Sequence, residues 1–183
     1  MQTVTGDSGD RVARTIADRV VDVPVFPQSG IIFKDLGPLF ADGPAFREIT
    51  DAIVEHHGPG AFDLVAGIEA RGFLIAAAVA YATGVGVVPV RKAGKLPRQT
   101  LTATYALEYG TATVEVQADA FRTGARVLVV DDVLATGGTA EATLALVERA
   151  GGSVAGFSVL LELAFLDGRG RLAPTDVHAL LRV

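Results

Sequence analysis

The chain has 183 residues, half of them hydrophobic, with a net charge of −5 and no cysteine. This length suits one domain with a large core, and no window reaches the ~18 uninterrupted apolar residues of a membrane span. The absence of cysteine excludes disulfides and thiolate metal sites, and the negative charge argues against non-specific nucleic-acid binding. Because no secretory segment is visible at the start, we expect a cytoplasmic protein.

The first sixty residues predict a polar terminus, helices and an irregular loop. Residues 1–10 are mostly polar, with Gly and Ser, and we expect them to be disordered, whereas residues 11–183 form a single domain. An amphipathic helix is predicted over residues 11–20. Pro and Gly interrupt the apolar residues of 25–35, which predicts an irregular ordered loop. A proline suited to a first helical turn begins a predicted helix over 44–57.

From Phe62 onward, strand patterns alternate with helix patterns. The predicted strands span residues 63–67, 85–90, 127–130 and 154–161, and the predicted helices span 72–82 and 139–150. Strands that alternate with helices along a chain form a parallel sheet with helices on both faces. The predicted fold class is therefore α/β, with a central parallel sheet flanked by helices.

Residues 93–117 interrupt this alternation. Gly and Pro come first, and then two segments of alternating polarity, 101–107 and 111–116, flank the triplet EYG at 108–110. The pattern predicts a flexible β-arm that projects from the sheet. Insertions of this length in a compact domain are commonly functional lids.

The strand predicted over residues 127–130 leads into a ligand-binding pattern. Asp131 and Asp132 follow it, and a short turn then leads into a helix. The turn contains Ala135, Thr136, Gly137, Gly138 and Thr139. Ligands of open α/β sheets bind at this edge, and paired glycines before a helix suit a phosphate. The two carboxylates can accept hydrogen bonds from sugar hydroxyls, and the turn beside them can bind a phosphate, so the segment predicts a ribose 5-phosphate site. The alternative is an acidic strand end and an ordinary helix cap.

Two further segments follow predicted strands. Arg71 can bind pyrophosphate oxygens through its planar guanidinium, or it can pair with Glu69 on the surface. Between residues 85 and 107 the chain is basic, without an acid; its cations are Arg91, Lys92, Lys95 and Arg98. This positive patch can attract a polyanion, and the alternative is a solvated basic loop.

Two segments remain open from the local residues alone. Phe33 offers a ring on which a purine can stack, although a core position is the commoner role of a phenylalanine. At the arm tip, Glu108 can protonate a base nitrogen, and Tyr109 beside it can help to exclude water. The alternative for the tip is a hairpin turn with an exposed acid.

Taken together, these segments resemble the bacterial adenine phosphoribosyltransferases, which belong to the type I phosphoribosyltransferases. The resemblance covers about residues 12–165, in family order: FP at 26–27, GIIFKD at 30–35, EARGF at 69–73, RKAGKLP at 91–97, YALEYG at 105–110 and VVDDVLATGGT at 129–139. The last motif alone specifies only the superfamily. The arm and the basic loop are narrower, and they indicate adenine.

The resemblance implies a type I phosphoribosyltransferase-like sheet with a small N-terminal hood and a lid arm at about residues 93–117. It implies a purine salvage enzyme that converts adenine and 5-phosphoribosyl 1-pyrophosphate to AMP and pyrophosphate through an oxocarbenium-like transition state. The enzyme would be a homodimer that requires Mg²⁺. Substrate and water would hold the metal, without dedicated protein ligands.

The resemblance also implies a role for each matched residue. The catalytic candidates are Glu108, Asp131 and Asp132, and both aspartates hold the ribose. The 5-phosphate binds at Ala135, Thr136, Gly137, Gly138 and Thr139. Pyrophosphate binds at Glu69, Ala70, Arg71, Arg91, Lys92 and Lys95, in a region where a cis peptide is frequent. Adenine stacks on Phe33 and meets the backbone of Ile32 and Lys34. The lid residues are Tyr105, Glu108 and Tyr109.

Departures and rivals are few. Lys34 stands where an arginine is frequent, and the residues after about Asp167 match nothing firmly. A transferase for another purine would differ in the lid and the base-reading segment. A DNA-binding regulator with the same sugar site would need a basic helix-turn-helix, which the short acidic N-terminus does not offer.

Overall fold

The computed structural model describes residues 6–24, 32–106 and 110–183. Its helices are α1 Gly6–Ala17, α2 Gly37–Ala41, α3 Gly43–His57, α4 Gly72–Thr83, α5 Gly138–Arg149 and α6 Gly168–Arg171. Its strands are β1 Val21–Pro24, β2 Ile32–Asp35, β3 Leu64–Ile68, β4 Gly86–Lys92, β5 Thr100–Ala106, β6 Thr111–Gln117, β7 Arg126–Leu134, β8 Ser153–Glu162 and β9 Val177–Arg182. No helix in these ranges is long and apolar enough to cross a membrane.

A seven-stranded sheet in the order β5-β6-β4-β3-β7-β8-β9 forms the centre of the fold. The strands from β4 to β9 in this order are parallel, and β6 is antiparallel to both of its neighbours. Alternate residues of β7 enter two different cores: Val127 and Val129 pack with α5, and Leu128 and Val130 pack with residues of α3 and α4. The predicted α/β class with helices on both faces is confirmed.

Strand β7 is longer than predicted. It continues to Leu134, because Val133 and Leu134 extend its pairing with β8, so both aspartates lie within the strand. Its other neighbour, β3, pairs with it only as far as Val130. The two strands therefore separate at Asp131, and this opening at the carboxyl ends is where α/β sheets bind ligands.

The predicted arm is a hairpin of β5 and β6. Its strand β6 pairs with β4, with Lys92 opposite Val114. Val114 and Val116 are buried in the core, and Tyr105 packs against it. The base of the arm is therefore an integral edge of the sheet. Glu108 and Tyr109, at the predicted tip, lie outside the described residues.

Both ends of the chain differ from the prediction. Helix α1 begins at Gly6, so residues 6–10 are helical where disorder was expected. The loop predicted over 25–35 ends in a strand, β2, which pairs with β1 as an antiparallel ribbon. After β8 the chain forms a 3₁₀ turn, α6 and β9, none of which the sequence predicted.

Candidate active site

The two aspartates of β7 sit where the start of α4 approaches the strand. A Cβ atom on Gly72 would lie 2.9 Å from the carbonyl oxygen of Val130 and 3.1 Å from Asp131 Oδ1, so only glycine permits this approach. Asp131 Oδ1 accepts a hydrogen bond of 2.8 Å from the backbone N–H of Asp132. Burial, and then the charge of Asp132, raise the pKa of Asp131 well above its ordinary value.

Arg71 contacts both Asp132, which is predicted to bind the sugar, and Phe33, which is predicted to stack on the base. Its Nη2 atom lies 2.6 Å from Oδ2 of Asp132, a residue only 6% exposed, and its guanidinium carbon lies 4.9 Å from the centre of the Phe33 ring. Oδ2 of Asp132 accepts no hydrogen bond from the described residues, so its contact with Arg71 is an ion pair. Arg71 therefore does not pair with Glu69, the surface alternative that the sequence left open. The peptide bond between Glu69 and Ala70 is cis.

Glu69 is instead the partner of the basic loop. Lys95 Nζ donates to its Oε1, Arg91 Nε lies 3.4 Å from its Oε2, and the N–H of Lys92 donates to Oε2 at 3.0 Å. The bond from Lys95 is the main cause that lowers the pKa of Glu69. The basic segment contains no acid in its own sequence, but in the fold Glu69 lies against three of its residues. Arg98 is also paired, with Asp119.

The phosphate turn and the first aspartate line one small pocket. Its volume is about 80 Å³, and its wall includes Asp131 and every residue of 135–139. Gly137 has a φ of 82°, in the left-handed region that favours glycine, and no side chain caps α5. The first N–H groups of α5 therefore remain available for an anion. Tyr105, from the arm, lies 3.3 Å from where a Cβ of Gly138 would be.

Sequence comparison places these features in a known family. The phosphoribosyl transferase domain matches residues 39–178. An adenine phosphoribosyltransferase of Salinispora arenicola is 71% identical over 180 residues, which cover 98% of this chain and 96% of the relative. One of Acidothermus cellulolyticus is 54% identical over 172 residues, covering 94% and 97%. The chain belongs to the adenine phosphoribosyltransferase family.

Solved structures agree with this membership. The adenine phosphoribosyltransferase of Thermoanaerobacter pseudethanolicus has a TM-score of 0.90 at 46% identity, covering 93% of this chain and 99% of that one. The Saccharomyces cerevisiae enzyme, complexed with an imino-altritol bisphosphate and adenine, has a TM-score of 0.88 at 39% identity, covering 94% and 99%. The family resemblance read from the sequence is confirmed.

The predicted adenine-binding segment is strand β2, which forms a separate two-stranded sheet with β1. Phe33 and Lys34 are half-buried, and Ile32 is 59% exposed. Lys34 Nζ is bound to Asp22 on the neighbouring strand β1, at 2.7 Å. The side chain of Lys34 is therefore held by β1. The roles of all three residues toward adenine stay predictions.

Glu115 is a residue of the site region that sequence reasoning missed. It lies on β6, is 4% exposed, and its Oε1 accepts hydrogen bonds from the backbone N–H groups of Lys95 and Leu96, both at 2.8 Å. Burial acts to raise the pKa of Glu115, but the backbone donors of residues 94–96 and the side chain of Thr100 together more than offset it, so its pKa is lowered. A lone acid between two apolar strand residues was the signal available in the sequence.

We expect Glu115→Gln to raise the KM for phosphoribosyl pyrophosphate about tenfold, because one charge-assisted interaction with the basic loop is weakened. The kcat should change less, since Glu115 does not touch the reacting atoms. Steady-state kinetics of the variant, with Glu148→Gln on the exposed side of α5 as the control, measure this. An unchanged KM would mean that the basic loop keeps its shape without Glu115.

The three histidines of the chain form a cluster of their own, which does not include Asp131 or Asp132. The rings of His56 and His178 are parallel at 3.6 Å, and His57 Nε2 is hydrogen-bonded to the hydroxyl of the buried Ser158 at 2.8 Å. Although the ring nitrogens lie within 4.8 Å of one another, the parallel rings cannot both aim an in-plane lone pair at one metal ion. The cluster is a packing contact between α3 and β9.

We expect this cluster to make stability depend on pH. Burial, and then the neighbouring His56 and His57, lower the pKa of His178 to about 4; Asp176 opposes this effect and Arg169 adds to it. The unfolded chain protonates this histidine first, so stability should fall as the pH drops from about 6.5 to about 4. For a partly exposed group the loss is about 1–2 kcal/mol. Thermal unfolding of the wild type and His178→Asn across this range measures it, and equal slopes would contradict the assignment.

Proposed function

We propose that this protein is a purine salvage transferase that converts adenine and phosphoribosyl pyrophosphate to AMP and pyrophosphate, with Mg²⁺ bound to the diphosphate. The observation that carries the proposal is the position of Arg71. It contacts Asp132 of the sugar site and the ring of Phe33 together. A sugar held by β7 and a purine held on β2 would therefore meet beside one guanidinium. The yeast relative, complexed with adenine and a bisphosphate, supports the same pairing of ligands.

The chemistry begins with loss of pyrophosphate from C1 of the ribose. The sugar gains oxocarbenium character, and negative charge accumulates on the leaving group. Four cations lie at or just after the carboxyl ends of β3 and β4, where they can stabilise that charge: Arg71, Arg91, Lys92 and Lys95. Two of these cations are shared with Glu69, so the loop can bind the leaving group and also release it.

The remaining groups orient the sugar and the base. Asp131 and Asp132 accept hydrogen bonds from the ribose hydroxyls, and the turn at 135–139 binds the 5-phosphate. Adenine on Phe33 attacks C1 from the face opposite the leaving group. Glu108, on the lid, is proposed as the acid–base group that handles the proton of adenine.

The acids present fit a magnesium ion held mainly by the substrate. Asp132 is paired with Arg71, Glu69 with Lys95, and Asp131 already accepts a backbone N–H. Within the described ranges, these pairings leave no ready cage of free carboxylates in the site. Magnesium prefers oxygen ligands and keeps several waters, so the diphosphate and ribose oxygens suit it, and when bound it would neutralise the diphosphate charge.

The homodimeric state and the cytoplasmic location belong to the same proposal. Three large apolar side chains of α4 and β4 are exposed, Leu74 at 51%, Tyr81 at 91% and Val87 at 49%. Exposed apolar side chains on adjacent elements are suited to contact a second copy. Light scattering of the purified protein should give twice the mass of the chain, and a monomer mass at micromolar concentration would contradict the dimer.

Product formation tests the proposed function. The purified protein is incubated with adenine, phosphoribosyl pyrophosphate and Mg²⁺, and AMP and pyrophosphate are followed together. Equal amounts of both products are expected, and chelation of Mg²⁺ should stop the reaction. Failure to form AMP would refute the transferase proposal, and AMP formation that persists in excess chelator would refute the role of Mg²⁺.

A further inference from the structure

The chain after β8 folds back onto the phosphate turn. A Cβ atom on Gly168 would lie 2.1 Å from the carbonyl oxygen of Ala135, and one on Gly137 would lie 2.7 Å from the carbonyl oxygen of Gly168. The backbone of Leu163 donates to Leu134 at 2.9 Å. These contacts between backbones mean that the segment at 163–171 braces the turn from outside.

This brace carries Arg171 to the start of α5. Its Nε donates to Glu141 Oε2 at 2.6 Å, and its Nη1 lies 3.7 Å from where a Cβ of Gly138 would be. The side chain is 41% exposed. No other described residue accepts a hydrogen bond from Arg171, so two of its nitrogens remain available beside the first residue of the helix.

The turn at 135–139 does not itself carry enough positive charge to balance a bound phosphate. Residues 135–139 contain no charged side chain, and the helix dipole supplies only about half a positive charge. A phosphate monoester carries about −1.5 to −2 at neutral pH. Glu141, in the first turn of α5, would add repulsion if its charge were not compensated. Arg171 compensates that acid and retains donors with the geometry that phosphate oxygens accept.

We propose that Arg171 is a ligand of the 5-phosphate, positioned by the close contact of Gly168 with the turn. The inference rests on the proposed function, since it takes residues 135–139 as the phosphate site. The proposed phosphate site thus gains a guanidinium from the segment at 163–171, for which the sequence predicted no role.

Binding of AMP and adenosine separates this role from a structural one. Titration calorimetry of Arg171→Gln should show AMP binding weakened about tenfold, with adenosine binding unchanged. Glu141→Gln, which frees Arg171, should tighten AMP binding. Arg122→Gln is the matched control. Arg122 is exposed and lies in the turn before β7, at the amino ends of the parallel strands and so away from the phosphate turn. Unchanged AMP binding in Arg171→Gln, or equal loss of AMP and adenosine, would overturn the proposal.

Gly168→Ala provides a second variant and ribose 5-phosphate a second probe. The added methyl group must displace the turn, so affinity for ribose 5-phosphate should fall while the circular dichroism spectrum is kept; unchanged affinity in the folded variant would overturn the positioning role. If adenine gave no AMP but ribose 5-phosphate binding still needed Arg171, only the proposed reaction would fail. If AMP formed and Arg171→Gln bound both phosphates normally, only this inference would fail.

Discussion

Replacing both Asp131 and Asp132 by asparagine is expected to lower kcat/KM for phosphoribosyl pyrophosphate about a thousandfold. In the proposed mechanism the two carboxylates accept hydrogen bonds from the ribose hydroxyls, and a charge-assisted bond contributes about 1.5–3 kcal/mol. Two such losses give about 3–6 kcal/mol, which corresponds to a factor of about 10² to 10⁴. Steady-state kinetics with phosphoribosyl pyrophosphate as the varied substrate measure the effect.

The fold should survive this double substitution. Asparagine fills nearly the same volume. The change removes the cost of burying the Asp131 charge and its repulsion with Asp132, which together raise the pKa of Asp131, while it also leaves Arg71 without its partner. Because these two effects oppose each other, thermal unfolding should shift by only a few degrees. A variant that unfolds, or one that retains wild-type kcat/KM, would mean that the aspartates serve the structure and not the sugar.

Arg71→Gln is expected to lower kcat/KM for phosphoribosyl pyrophosphate about a hundredfold. The substitution leaves Asp132, which is 6% exposed, without the cation 2.6 Å away. A charge-assisted bond to the pyrophosphate contributes about 1.5–3 kcal/mol, and the upper end applies because the substitution also leaves a charged Asp132 unpaired beside the anionic substrate. Adenine binding should also weaken, since the ring of Phe33 loses the guanidinium beside it.

A double-mutant cycle isolates the pair. Arg71→Gln combined with Asp132→Asn should cost less than the sum of the two single changes, because each single change leaves one charge unpaired. Kinetics and unfolding of the four proteins provide both cycles, with Arg122→Gln as a control for the loss of one arginine. Strict additivity would show that Arg71 and Asp132 act independently.

Local patterns were sufficient to predict most of the fold and which residues line the pocket proposed for the sugar phosphate. The apolar strand at 127–130, the acids after it and the paired glycines are adjacent in sequence, so they predict a strand, an edge and a turn together. The pocket indeed unites Asp131 with residues 135–139. Strand β7 was predicted too short because acidic residues are poor strand formers, and its pairing with β8 overrides that preference.

Partners that are distant in sequence could not be predicted in this way. Nothing local shows that Arg71 contacts Asp132 whereas Glu69 holds Lys95, because the choice depends on how β3 and β7 separate. The role of Glu115 likewise depends on the pairing of β6 with β4. The segment around Gly168 is a short helix without periodicity, and its contact with the turn joins residues that are distant in sequence, which no local pattern shows.

A competition among purines tests the central claim most directly. Adenine, hypoxanthine, guanine and xanthine are offered at equal concentration with limiting phosphoribosyl pyrophosphate and Mg²⁺, and the nucleotides are separated by chromatography. The structure predicts AMP as essentially the only product, at a yield that matches the pyrophosphate released. Predominant formation of IMP, GMP or XMP would contradict the adenine assignment, and no nucleotide from any base would contradict the transferase itself.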